Sequence, residues 1–168
     1  RVRILIPIDR RVEADEYNAI GRRLAADIGI EMMDTTTYEP TRLMYWPSTP
    51  QDGEYYFYHG QGDFISADGV LATYDNWRDT STWPTSKKET AVVFRSAKRQ
   101  EDPYEKKGLI GAFCRAYTIT EAMRTFLQGT YEPTVHDDRF TYVNGSTTGG
   151  LVVYDDKFAY SHHSTDPI

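Results

Sequence analysis

Asp34 closes an apolar extended stretch, Ile30 to Met33, and Arg42 opens the next expected strand eight residues later. A carboxylate at a strand end can hold Mg²⁺ or Mn²⁺, and a guanidinium nearby can neutralise a triphosphate. The same Asp is more commonly a turn former or a cap, because its short side chain bonds the backbone two residues on. Both readings stay open on these residues alone. His162-His163 is the second candidate, with Asp155, Asp156 and Asp166 close in sequence and His136 and His59 further off. Adjacent side chains on a strand point to opposite faces, so a paired structural or surface role is the commoner one. Gly145-Ser-Thr-Thr-Gly-Gly150 has the glycines and hydroxyls of a phosphate loop but lacks the Lys and the following helix, so it reads as a hairpin turn. Cys114 lies in an apolar helical run with no paired base in sequence and reads as a buried thiol.

Charge supplies a further candidate. The net charge of −6 argues against a generic nucleic-acid coat, but its distribution is uneven. Arg1, Arg3, Arg10 and Arg11 stand against Asp9 at the start. Between 86 and 107, Lys87, Lys88, Arg95, Lys98, Arg99, Lys106 and Lys107 stand against four acids, while 50–82 and 129–168 are acidic. A basic hinge between acidic lobes can follow a phosphate backbone, and it can equally be a solvated linker.

The elements that would position these groups follow from periodicity. Val2 to Ile8 is expected as a strand, ended by Pro7 and the Asp9-Arg10-Arg11 turn. Glu13 to Ile28 has Tyr17, Ile20, Leu24 and Ile28 at helical spacing, with Asp15 and Glu16 in the first turn and Gly29 as the stop. Further strands are expected at Arg42–Trp46 and Glu54–Tyr58, and a short helix at Ala67–Tyr74. From Asn76 to Lys107 the composition turns to Trp, Thr, Ser, Pro and Lys, the signature of a linker. Two helices, Gly108–Tyr117 and Ile119–Leu127, would share an apolar seam of Leu109, Ile110, Phe113, Ile119, Ala122, Met123 and Phe126, and Thr118 with Glu121 has capping-box spacing. Such a pair can be a helix-turn-helix DNA reader and is more often a plain hairpin. Strands at Arg139–Val143, Leu151–Tyr154 and Phe158–Ser161, with an Asp155-Asp156 turn, form an antiparallel meander. The expected fold class is therefore α+β, with an α/β lobe at 1–75, a basic linker at 76–107 and a helical hairpin plus β meander at 108–168.

The bounds agree with a soluble chain of one domain or two small ones. Of 168 residues, 26% are charged and 39% hydrophobic, and no apolar stretch approaches the ~18 residues of a membrane span. A lone cysteine excludes an intrachain disulfide framework and fits a reducing cytoplasm. The opening Arg1-Val-Arg-Ile-Leu-Ile-Pro-Ile has no leader pattern, lacks an initiator Met and enters at once what reads as a core strand. These features suggest a fragment with its natural start upstream.

Several long strings add a resemblance. Residues 2–48, through Glu16-Tyr17-Asn-Ala-Ile20 and Asp34-Thr-Thr-Thr-Tyr-Glu-Pro-Thr-Arg-Leu-Met-Tyr-Trp-Pro-Ser48, resemble the palm of phage and plasmid primase-polymerases of the archaeo-eukaryotic primase superfamily. Gly108 to Tyr117, Tyr142 to Tyr154, and Ala159-Tyr-Ser-His-His-Ser-Thr-Asp-Pro167 resemble the region of the same replication proteins that precedes a virulence-associated-E type helicase domain. The resemblance implies that 1–75 is the end of an incomplete RRM-like palm. It further implies that the parent joins nucleotides on a DNA template by two-metal chemistry with Mg²⁺ or Mn²⁺, in the cytoplasm of a bacterial host, with DNA, nucleoside triphosphates and a helicase domain in cis as partners.

That palm carries an Asp-x-Asp pair, then a Ser-x-His, then a single Asp followed by a basic residue on the next strand. Asp34 and Arg42 match the third motif, which makes Asp34 the implied metal ligand and Arg42, with Ser48, the implied nucleotide contact. Neither earlier motif occurs in order upstream of Asp34. The fragment alone is accordingly expected to be inactive. The alternative is a non-catalytic module that docks domains, or one that holds DNA through Lys87, Lys88, Arg95, Lys98 and Arg99.

Overall fold

The computed structural model describes residues 2–89, 101–162, 165 and 166. Among these the chain is mixed α+β, with a few helices and one four-stranded antiparallel sheet.

Helix α1 spans Ala14–Ile28. Its entry is fixed by Glu16, whose carboxylate reaches back to accept the Glu13 N–H at 2.9 Å. Gly29, at φ 133°, ends it and donates to the Ala25 carbonyl at 2.8 Å. The expected apolar stripe is present but shifted: Ala19, Ile20 and Ala25 are buried, whereas Tyr17 and Ile28 face out. Helix α2, Ala67–Leu71, is capped from two sides. Ser66 Oγ accepts the Gly69 N–H at 3.3 Å, and Asp9 Oδ1, far away in sequence, accepts the Ala67 N–H at 2.9 Å. That backbone hydrogen bond holds the Asp9 carboxyl below its ordinary value. The first core is Ala19 and Ile20 of α1 against Ala67, Val70 and Leu71 of α2, closed by Trp83 from the expected linker. Trp83 Nε1 donates to the Trp77 carbonyl at 2.7 Å, and the Tyr74 hydroxyl donates to the Ala19 carbonyl at 2.8 Å. Burial pushes the Tyr74 hydroxyl up to about 12.

The three strands expected in the first lobe are not formed. Among the described residues, Val2–Ile6, Arg42–Trp46 and Glu54–Tyr58 lie outside any ladder, and the only bridge near them is an isolated parallel one between Ile8 and Ile65. The physical reason lies in what surrounds them. A strand needs a neighbour for its backbone and a layer for its apolar face. Here Leu43, Trp46, Tyr56 and Tyr58 are 70–91% exposed. Ile30 to Met32 is likewise a 3₁₀ turn rather than an extended segment.

In the second lobe, helix α3 is Gly108–Ala116 and α4 is Ile119–Phe126. Thr118 and Glu121 form the expected reciprocal box: the Glu121 N–H donates to Thr118 Oγ1 and the Thr118 N–H to Glu121 Oε2. Strands β1 Tyr131–Pro133, β2 Arg139–Tyr142, β3 Leu151–Tyr154 and β4 Phe158–Ser161 pair in sequence order. Phe140 opposes Leu151, and both are almost wholly buried with Met123, Tyr131 and Val153. Asp155 and Asp156 both take left-handed φ, near 50°, which is the two-residue turn a tight hairpin favours. Asp156 then anchors α4: its carbonyl accepts the Ile119 N–H and its Oδ1 the Thr120 N–H. The expected seam is only half real. Ile119 and Met123 pack on the sheet, Phe113, Tyr117 and Phe126 stack at 5.1–5.7 Å, and Leu109 and Ile110 are exposed.

Candidate functional site

Asp34 is exposed and caps a 3₁₀ turn, Thr35–Tyr38. Its Oδ1 accepts the Thr36 N–H at 3.1 Å and the Thr36 hydroxyl at 2.7 Å. Arg42 lies on an open surface hollow with Glu39, Thr41, Leu43 and Tyr45, and its N–H donates to the Glu39 carbonyl at 3.0 Å. Ser48 sits on the exposed extended segment that follows. A two-metal centre needs carboxylates from more than one position facing one point. Among the described residues no group of three or more His, Cys, Asp or Glu is arranged to hold an ion. The described residues therefore do not by themselves fit a two-metal site for Mg²⁺ or Mn²⁺.

Lys87 and Lys88 are exposed on a helical turn beside acids. The Lys87 N–H donates to Glu31 Oε1 at 3.0 Å, and Glu89 follows directly. Arg95, Lys98 and Arg99, the rest of the expected DNA-contacting set, lie outside the described residues, as does His163. His162 packs edge-on against Tyr160 at 4.8 Å and donates its N–H to the Gly150 carbonyl. Cys114 is free and half-buried in α3.

What the structure does bring together is the glycine-rich turn and the first lobe. As expected, Gly145–Gly150 joins β2 to β3, and its outer end then grips residues 78–80. The Thr148 N–H donates to the Arg78 carbonyl at 2.6 Å, and the Thr80 N–H donates to the Thr148 carbonyl at 3.2 Å. Arg139 Nη1 donates to the Gly149 carbonyl at 2.9 Å and reaches Thr80 Oγ1 at 3.5 Å. Ser146 Oγ donates to Asp15 Oδ2, and Asp15 is only 1% exposed. The glycine-rich turn and the buried Asp15 carboxylate thus form a joint between lobes.

A second network stiffens the first lobe just beside that joint. Arg22 is buried, with Nε to Asn18 Oδ1 at 2.8 Å, Nη1 to the Pro84 carbonyl at 3.1 Å and Nη2 to Glu89 Oε1 at 2.7 Å, its guanidinium 4.5 Å above the Tyr38 ring. Glu89 Oε2 also accepts from Ser86 N–H and Oγ. This network closes around Ser86, which is 1% exposed.

The model of the VapE N-terminal domain matches residues 1–86, just over half of the chain. The chain belongs to this family. The match supports the coarser part of the resemblance, a VapE-like phage or plasmid replication protein. No curated protein and no solved structure matches the chain. In VapE N-terminal domain terms, Asp34, Arg42 and Ser48 lie inside the matched domain, whereas Arg139, Ser146 and Thr148 lie beyond it and bind back onto it.

Sequence reasoning missed Asp15, Thr80, Arg139 and Thr148. Asp15 has the position of a dipole-complementing acid in a first turn, and nothing in its spacing shows that a loop 131 residues away covers it. The one available signal was the run of hydroxyls in the glycine-rich turn, which a plain hairpin does not need.

Proposed function

We propose that this chain is a non-catalytic connector in a VapE-type DNA replication protein, fixing its VapE N-terminal domain against the helical hairpin and sheet that follow. The observation that carries this reading is the Thr148 joint. The matched domain and the β meander are tied by backbone hydrogen bonds in both directions between Thr148 and residues 78–80, and by a side-chain bond to a buried carboxylate. A two-metal palm would instead bring carboxylates from more than one position to one point, and no group of three or more His, Cys, Asp or Glu is so arranged among the described residues.

In the parent, the primase-polymerase reading assigns primer synthesis to a site completed by carboxylates from elsewhere, with Asp34 and Arg42 as the third motif, an RRM-like palm built around the exposed segments 42–48 and 54–58, and a helicase in cis. The exposed aromatic side chains on those segments support it, because apolar strands of this kind belong under a further layer.

The test is nucleotide incorporation by the chain itself. Supplied with a DNA template, labelled nucleoside triphosphates and Mn²⁺, it is expected to make no primer. Primer synthesis that disappears in Asp34→Ala would sink the connector reading.

A further inference from the structure

Two exposed stretches of opposite character leave one junction. At the junction the Asp9 N–H donates to the Ile65 carbonyl at 3.0 Å and the Ile65 N–H to the Pro7 carbonyl at 3.1 Å. Ahead of it, Val2–Ile6 runs out of any ladder, with Val2 and Leu5 mostly exposed and Arg3 as its charge. On the other side, every residue from Glu39 to Phe64 is exposed. That arm carries Leu43, Met44, Tyr45, Trp46, Tyr55, Tyr56, Phe57, Tyr58 and Phe64, with Trp46 and Tyr58 each 91% exposed. Its charges are Glu39, Asp52, Glu54 and Asp63 against Arg42 alone. Between Leu43 and Phe64 the one backbone pair among the described residues is the Gly53 N–H on the Pro50 carbonyl.

So much apolar surface on an unpaired backbone is a docking surface for an extended chain, which binds by adding main-chain hydrogen bonds and filling side-chain sites. Charge selects the occupant. Four acids against one base repel a phosphate backbone, although the aromatic rings alone would stack on bases. A basic, aliphatic segment is complementary, and this chain presents one.

We propose that the protein self-associates, the Val2–Ile6 segment of one copy lying along the acidic aromatic arm, residues 39–64, of a second copy. The contact is reciprocal, since each copy carries both halves, and two-fold pairing closes it. This inference stands apart from the connector reading, and either can fail without the other.

Sedimentation velocity across a concentration series tests it, with low and high salt arms. The expected result is a species of twice the 19.3 kDa monomer mass with a roughly micromolar dissociation constant, weakened by salt. Trp46→Ser with Tyr58→Ser is expected to give monomer only. Arg3→Glu should weaken pairing by about tenfold or more while Arg3→Lys preserves it. All these side chains are exposed, and unchanged circular dichroism and melting temperature confirm the fold. Monomer at every concentration, or a dimer indifferent to both variants, overturns the proposal. So does an oligo-dT strand that binds the native protein but not Trp46→Ser with Tyr58→Ser while no dimer forms, which would assign the arm to nucleic acid.

Discussion

At the residue scale, Asp34 shows how one carboxylate can serve two chemistries. Its bonds to Thr36 are those of a cap, and an Asn can make the same bonds but cannot serve as an anionic ligand. Asp34→Ala is expected to cost about 0.5–2 kcal/mol, and Asp34→Asn a few tenths at most, measured by urea unfolding. Equal losses in the two would mean that the charge, not the cap, matters. Arg10 gives the second residue-scale prediction. It donates to both carboxylate oxygens of Glu16, at 2.9 and 3.0 Å, and to Asp68. These hydrogen bonds hold the Glu16 carboxyl below its ordinary 4.5. A carboxyl held low in the folded state adds stability that is present above the unfolded value and is lost as pH falls through the folded one. The melting temperature of the native protein should therefore fall more steeply below pH 4.5 than that of Glu16→Gln. Parallel profiles would remove the pair from the stability of the fold.

At the element scale, local signals decided what could be read in advance. α1, α4, β3 and β4 fall where periodicity, the Thr118–Glu121 box and the Asp155-Asp156 turn put them, because each is set by neighbours within a few residues. β1 was not legible: three residues ending in Pro133 carry no alternation. The strands expected at 2–8, 42–46 and 54–58 failed for the opposite reason. Their composition suits a sheet, but pairing is a property of what lies alongside. The candidate site divided the same way, since Asp34, Arg42 and Ser48 were visible as a motif, whereas Asp15 and Thr148 meet only through the tertiary fold. Gly111 in α3 offers a prediction at this scale. A Cβ there would fall 1.5 Å from the Lys106 carbonyl oxygen and 2.9 Å from Arg115 Nη1. Arg115 Nη1 in turn accepts no substitute easily, because it donates to the Tyr104 and Lys106 carbonyls. Gly111→Ala should push the Pro103–Glu105 turn off α3 at a cost of about 1–3 kcal/mol. Calorimetry showing an unchanged midpoint would mean that this contact does not exist in solution.

At the scale of the whole molecule, the claim is that two separate apolar cores behave as one body. One core gathers around Ala19, Leu71 and Trp83, the other around Phe140 and Leu151. No helix among the described residues is long and apolar enough to cross a membrane. What joins the cores is short: the Thr148 bonds to residues 78–80, Arg139 across them and Ser146 on Asp15. Each net hydrogen bond is worth about 0.5–1.5 kcal/mol, enough in sum to couple two small lobes but not to survive loss of its centre. Thr148→Pro removes the N–H that the Arg78 carbonyl accepts, at an exposed position. Differential scanning calorimetry of the native chain beside Thr148→Pro is the most direct test. The connector account predicts a single cooperative transition in the native protein and two resolved transitions in the variant. Two transitions in the native protein, or one unshifted transition in the variant, would contradict it.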